Sequence, residues 1–200
     1  MPGESRPDPV STKLIDEMKQ RGFKSFEETL KEAGERAERL PVRVIGSIFS
    51  RGGKEGDFRW MIEQPEFADA LFVFNDNEEQ FLAHRQNPQG DFGCSVGGGN
   101  AVIRPFQCTE PPRAAGIPTG ANGDGYRELT AHVKQMVDDA VANIRNLMAT
   151  GRYQRIIYSA ANASGALGTG IFNVADGVKR YIVDRLKELE SGSAESSGTS

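Results

Sequence analysis

The run Ala70-Leu71-Phe72-Val73-Phe74, between Asp69 and Asn75, most restricts what this chain can become. Five consecutive apolar residues leave a strand with no face to show to water. Such a strand is buried on both sides. Its sheet must then carry helices on both faces. The rest of the chain supplies them. Leu129, Val133, Val137, Ala140, Ile144 and Leu147 recur three and four apart, which predicts a helix from Tyr126 to Thr150, ended by Gly151. Val174, Val178, Ile182, Leu186 and Leu189 predict a final helix from Val174 to Glu190. Pro41 to Gly46 reads as a strand that Ile48 and Phe49 could extend, and Arg155 to Ser159 reads as another. Ala114 to Gly120 reads as a short edge strand, because Pro118 cannot donate to a ladder on both sides. The expected fold class is α/β, a three-layer α/β/α sandwich around a mixed, mostly parallel sheet.

Domain organisation follows from composition along the chain. Residues 1–10 are polar and Pro-containing and read as a disordered tail, as does the Ser/Gly-rich stretch 191–200. Residues 11–40 read as an N-terminal helical extension. Ser11 caps a first helix that Gly22 ends, and Ser25 with Glu28 forms a capping box for a second. Residues 41–190 form the α/β domain. The 200 residues carry a net charge of -4 and no block of Lys or Arg, so nucleic acid is not an expected partner. No apolar run approaches the roughly 20 residues that span a bilayer, so a membrane is not expected either. The N-terminus has no signal-peptide pattern. Two cysteines, Cys94 and Cys108, make no disulfide framework, and a cytoplasmic or other intracellular compartment is expected. With His84 and His132 they show no zinc-site spacing. No metal and no cofactor are expected.

Two loops could carry chemistry. Gly97-Gly98-Gly99 precedes Asn100, Ala101, Val102 and Ile103, and reads as a glycine loop opening a short helix stopped by Pro105. Backbone N–H groups without Cβ atoms, at a helix start, suit a phosphate. A plain flexible turn is the alternative. The second loop, Ser159 to Phe172, contains Gly168-Thr169-Gly170-Ile171-Phe172 and leads from a strand to the last helix. Ligands of open α/β sheets bind beyond the strand C-termini, so the two loops could face each other across a diphosphate. Phe172 could cover a sugar or base, or plug the loop from below. Asn75, Asp76 and Asn77 follow the apolar strand. The amides could bind ribose hydroxyls and Asp76 could act as a base; an Asx turn is the alternative. Arg104 could pair with a phosphate or with a carboxylate. His132 reads as structural, His84 as solvated, and a thiol nucleophile at Cys94 would lack a neighbouring histidine in sequence.

These features, in this order, resemble a macrodomain, the ADP-ribose-binding α/β/α module. Ala70 to Asn77 resembles that family's apolar strand ending in asparagines. Gly97 to Ile103 is similar to its glycine loop and helix, and Gly168 to Phe172 to its second phosphate loop. The resemblance covers roughly residues 42 to 190. It implies binding of an ADP-ribose-like nucleotide, free or carried by an ADP-ribosylated protein. Gly98, Gly99 and Asn100 would hold one phosphate, and Gly168, Thr169, Gly170 and Ile171 the other. Asn77 would approach the distal ribose, with Phe172 over it. Hydrolysis at the anomeric carbon of that ribose, with Asp76 as base, is the enzymatic alternative. A structural or partner-binding domain without nucleotide is the other. The chain departs from the family at Gly46-Ser47-Ile48, where an aspartate usually contacts adenine. The asparagines are also two apart rather than three, and no acid follows the glycines.

Overall fold

In the computed structural model, residues 41–170 and 172–191 are described. The readings at 1–40, at Ile171 and at 192–200 lie outside the described residues. The chain forms β1 (Arg43–Ile48), α1 (Phe58–Met61), a short 3-10 turn (Pro65–Phe67), β2 (Ala70–Asn77), α2 (Glu78–Gln86) and α3 (Asp91–Cys94). A 3-10 helix (Gly99–Cys108), β3 (Ala114–Ala121), β4 (Asp124–Gly125), α4 (Ala131–Met148), β5 (Arg155–Ala160) and α5 (Asp176–Ser191) follow. The strands make one sheet in the order β1-β5-β2-β3-β4. All pairs are parallel except β3 with β4. The fold is α/β with helices on both faces of a mostly parallel sheet.

The apolar run divides between two cores by simple alternation. Leu71 and Val73 join Ile156, Tyr158, Ala115 and Ile117 under α2, α4 and α5. Ala70, Phe72 and Phe74 point the other way, into a cluster with Phe58, Met61, Ile103 and Ile157. Successive strand side chains face opposite sides, so a continuously apolar strand must feed two hydrophobic layers at once. The helical stripe of α4 is buried as its spacing requires, with Val133, Val137, Ala140 and Ile144 at 5% exposure or less. Thr130 caps this helix: its Oγ1 accepts from the Val133 N–H at 3.2 Å. Thr130→Ala should cost about 1 kcal/mol in urea unfolding. An unchanged midpoint would show that the cap contributes nothing.

Four expectations are corrected. First, α2 stands at Glu78–Gln86, where the apolar pattern of the sequence marks no helix. Phe81 is its one fully buried residue, so no stripe marks it. Glu78 and Glu79 in its first turn and His84 and Arg85 in its last do complement the helix dipole. Second, the short helix after the glycines is a ten-residue 3-10 helix that runs through Pro105 to Cys108. Third, Asn75, Asp76 and Asn77 belong to β2 and do not form a turn. Fourth, the two cysteines are not free thiols: Cys94 and Cys108 are joined in a disulfide, because α3 and the end of the 3-10 helix meet. Pro118 lies inside an eight-residue strand, β3, that sits between β2 and β4. Its position obeys the rule that suggested an edge. β4 pairs only with Gly120 and Ala121, so at Pro118 the ladder runs on the β2 side alone. Among the described residues no helix is long and apolar enough to cross a membrane.

Candidate functional site

β2 and β5 pair only as far as Val73 with Tyr158. Beyond that point β5 stays with β1, to Ile48 and Ala160, while β2 stays with β3. The sheet therefore splits at the C-terminal ends of its two central strands. A ligand finds room at such a split without displacing any ladder bond. A cavity of about 310 Å³ opens there. It is lined from one side by Asn75, Gly98, Gly99, Asn100, Val102 and Thr119. From the other come Ser159, Gly168, Thr169, Gly170 and Phe172. Phe49, Gly56, Asp57 and Phe58 close the β1 end.

Two asparagines connect the lips. Asn75 donates its backbone N–H to Oδ1 of Asn100 at 3.0 Å. Its side-chain Nδ2 donates to the Gly168 carbonyl at 2.6 Å. One residue of β2 thus holds both glycine loops, which ties the spacing of the two lips to the sheet. The second loop is folded back on its own strand as well. Gly168 donates to the Ser159 carbonyl at 2.9 Å, and Ala161 to the Ala166 carbonyl at 2.7 Å. Gly99 adopts φ +57°, a left-handed conformation that favours glycine.

Sequence reasoning placed Asn75, Gly98, Gly99, Asn100, Gly168, Thr169, Gly170 and Phe172 at the site, and all eight line this cavity. Asn77 and Gly97 do not line it. Gly97 instead lies against Ala101 and Arg104: a Cβ there would come within 2.9 Å of both side chains. Asp76 needs correction. It is 2% exposed, and its carboxylate is bound from one side by Arg104, itself 2% exposed. Nε and Nη2 of Arg104 reach Oδ1 at 2.9 and 2.6 Å. Alternation along β2 turns Asp76 away from the face of Asn75, so it has no path to a ligand in the cavity. Burial pushes its carboxyl up from the ordinary range, against the opposing pull of the Arg104 guanidinium. Of the two roles open to Arg104, the structure shows the carboxylate partner.

Sequence reasoning missed Thr119 on β3 and the residues of the β1 end. Among the described residues Asp57 is the only acid lining the cavity, and it is already engaged. Its Oδ1 accepts from the Arg59 N–H and so caps α1, and its Oδ2 accepts from the Gly53 N–H of the loop before it. Phe49 is 60% exposed at the rim. Its position just after β1 was the available signal. Gly56 packs so closely under β1 that a Cβ would lie 2.1 Å from the Ile48 carbonyl oxygen. The site so assembled brings the backbone of two glycine loops and the rings of Phe49, Phe58 and Phe172 around one cavity. His84 sits away from it, half-buried, at 3.7 Å from Sγ of Cys108. His132 is exposed on α4, 2.8 Å from Glu78. No family model, curated protein or solved structure matches this chain.

Proposed function

We propose that this chain is a divergent macrodomain-like module that binds an ADP-ribose-like nucleotide, with the diphosphate between its two glycine loops. The single observation that carries the reading is the opposition of those loops across the split between β5 and β2. Gly98 and Gly99 stand on one lip and Thr169 and Gly170 on the other, while the Gly168 N–H is held by the Ser159 carbonyl. Backbone N–H groups in such loops hold phosphate oxygens without a basic side chain. The volume falls within the roughly 300–1,000 Å³ range of small-molecule sites. Phe49 would stack on the base at the β1 end and Phe172 would cover the distal ribose. Asn77, away from the cavity, would not reach the ribose; Asn75 stands in its place. The same cleft would take the nucleotide free or as the modification on an ADP-ribosylated protein.

Binding is favoured over hydrolysis by a specific observation. Among the described residues the one acid lining the cavity, Asp57, accepts from the Arg59 N–H in the first turn of α1 and from the Gly53 N–H of the preceding loop, and Asp76 is enclosed with Arg104. General acid or base work needs a group within hydrogen-bond reach of the reacting atom. Thermal shift with ADP-ribose, NAD and AMP tests the reading. At one hundred times its dissociation constant ADP-ribose should stabilise the fold by about 2.7 kcal/mol. AMP, with one phosphate for two loops, should stabilise less at equal concentration. No rise in Tm with any of the three at millimolar levels would leave the structural-domain alternative standing.

A further inference from the structure

We propose that, once the Cys94–Cys108 disulfide is reduced, His84, Cys94 and Cys108 hold a thiophilic divalent cation such as Zn²⁺. The three residues are far apart in sequence, but the fold brings their donor atoms within 4.8 Å of one another. Nδ1 of His84 and Sγ of Cys108 are already 3.7 Å apart. Tetrahedral zinc, with bonds of about 2.3 Å to sulfur and about 2.0–2.1 Å to nitrogen, sets neighbouring donors about 3.5–3.8 Å apart. The two sulfurs must separate, and the Cα atoms of Cys94 and Cys108 are 6.1 Å apart.

Contacts other than the disulfide hold the three donors in place. His84 is on α2, Cys94 ends α3 and Cys108 ends the 3-10 helix. α3 rests directly on α2: a Cβ on Gly93 would lie 2.7 Å from the His84 Cα and N. The buried side chain of Gln107 donates to the Gly93 carbonyl at 2.6 Å and ties the 3-10 helix to the same point. The frame therefore stays assembled when the S–S bond opens. A cavity of about 200 Å³ beside His84, lined also by Phe81, Gln107 and Gly116, leaves space for a water as fourth ligand. Two thiolates and one imidazole form a donor set suited to zinc. The site lies outside the nucleotide cleft and does not depend on that reading.

The chemistry balances with a phosphine reductant. The S–S bond breaks, the phosphine becomes its oxide with an oxygen from water, and two thiols result. The cation then displaces their two protons. The experiment uses the full chain, reduced, freed of excess phosphine under inert gas, and titrated with Co²⁺. One equivalent should bind, with thiolate-to-cobalt charge-transfer absorption and the visible bands of tetrahedral cobalt, and Zn²⁺ should displace it. His84→Gln should weaken binding at least tenfold, and His132→Gln should not. Cys94→Ser and Cys108→Ser should each diminish the charge-transfer band. His84→Gln retains both cysteines, so its circular dichroism in the oxidised form shows whether the fold is intact. If a cysteine variant fails to fold, the two histidine variants decide. The proposal is overturned if the reduced chain gives no charge-transfer band at micromolar Co²⁺. It is equally overturned if His84→Gln, still folded, binds like the parent, or if the disulfide opens only when the chain unfolds.

Discussion

Arg104→Met is expected to destabilise the fold by about 3–5 kcal/mol, the usual consequence of removing one partner of a buried ion pair. Total stability of a domain is about 5–15 kcal/mol, so much of the margin goes with one side chain. The cause is specific. Arg104 is enclosed, donates to Asp76 Oδ1 and to the Ser95 carbonyl, and lies 5.8 Å over the Phe74 ring. Met preserves much of the packing volume but leaves Asp76 without its counter-charge, and Asp76 Oδ2 already has no hydrogen-bond partner. Burial already raises that carboxyl, and removing Arg104 raises it further. The folded variant then binds a proton that the unfolded chain gives up, so its stability falls as pH rises through the window between the two values. The deficit should shrink on acidification and be largest near neutrality. Urea unfolding at several pH values measures both effects. A variant within 1 kcal/mol of the parent at pH 7 would show that the pair is not what holds the 3-10 helix to β2. Asp76→Leu combined with Arg104→Met should recover part of the loss, because no lone charge remains.

What the sequence discloses and what it hides divide along physical lines. Periodicity over long segments is a property of the chain alone, so α4, α5 and the doubly buried β2 are legible. The glycine loops are legible for a related reason. A glycine-rich connection marks backbone that something approaches, and seven residues of the two loops line one cavity together with Asn75 of β2. α2 was hidden because it buries little, and helices are found by what they bury. Its charge order was the only local sign.

The β1 end of the cavity was hidden for a different reason. Phe49, Asp57 and Phe58 meet Asn75 and Gly168 only because β1 and β2 flank β5, a non-local pairing that no spacing records. The cysteines show the same limit. Residues 94 and 108 carry no pairing signal in sequence, yet α3 and the 3-10 helix bring them together beside His84. Asp76 shows the opposite error. Proximity to two asparagines suggested a shared site, but alternation along a strand sends neighbours to opposite faces. Asn75 faces the loops and Asp76 faces Arg104.

Gly170→Glu should weaken the proposed nucleotide binding about a hundredfold or more while leaving the fold intact. Gly170 lines the cavity, and a Cβ built on it meets no atom of the described residues within 4 Å beyond its chain neighbours. Its φ is not among the left-handed values of this chain, so glycine is not required there for backbone reasons. A turn role that only glycine can fill is thereby removed, and the side chain of a variant extends into open space. Gly170→Ala should then melt like the parent. Gly168 is the contrast: a Cβ there would press to 3.1 Å on the Ala160 carbonyl carbon and on Ser159 Oγ, so its substitution strains the loop itself. Glutamate at 170 adds bulk in the cleft and a negative charge beside the proposed diphosphate. Both act on the ligand and neither on the core. Affinity for ADP-ribose should fall about a hundredfold or more, equivalent to roughly 2.8 kcal/mol at 1.4 kcal/mol per decade. Calorimetric titration of Gly170→Glu and Gly170→Ala, with circular dichroism of each, makes the measurement. Native spectra with unchanged affinity in the glutamate variant would place the phosphates elsewhere. Lost spectra in the alanine variant would restore a purely structural role for this loop.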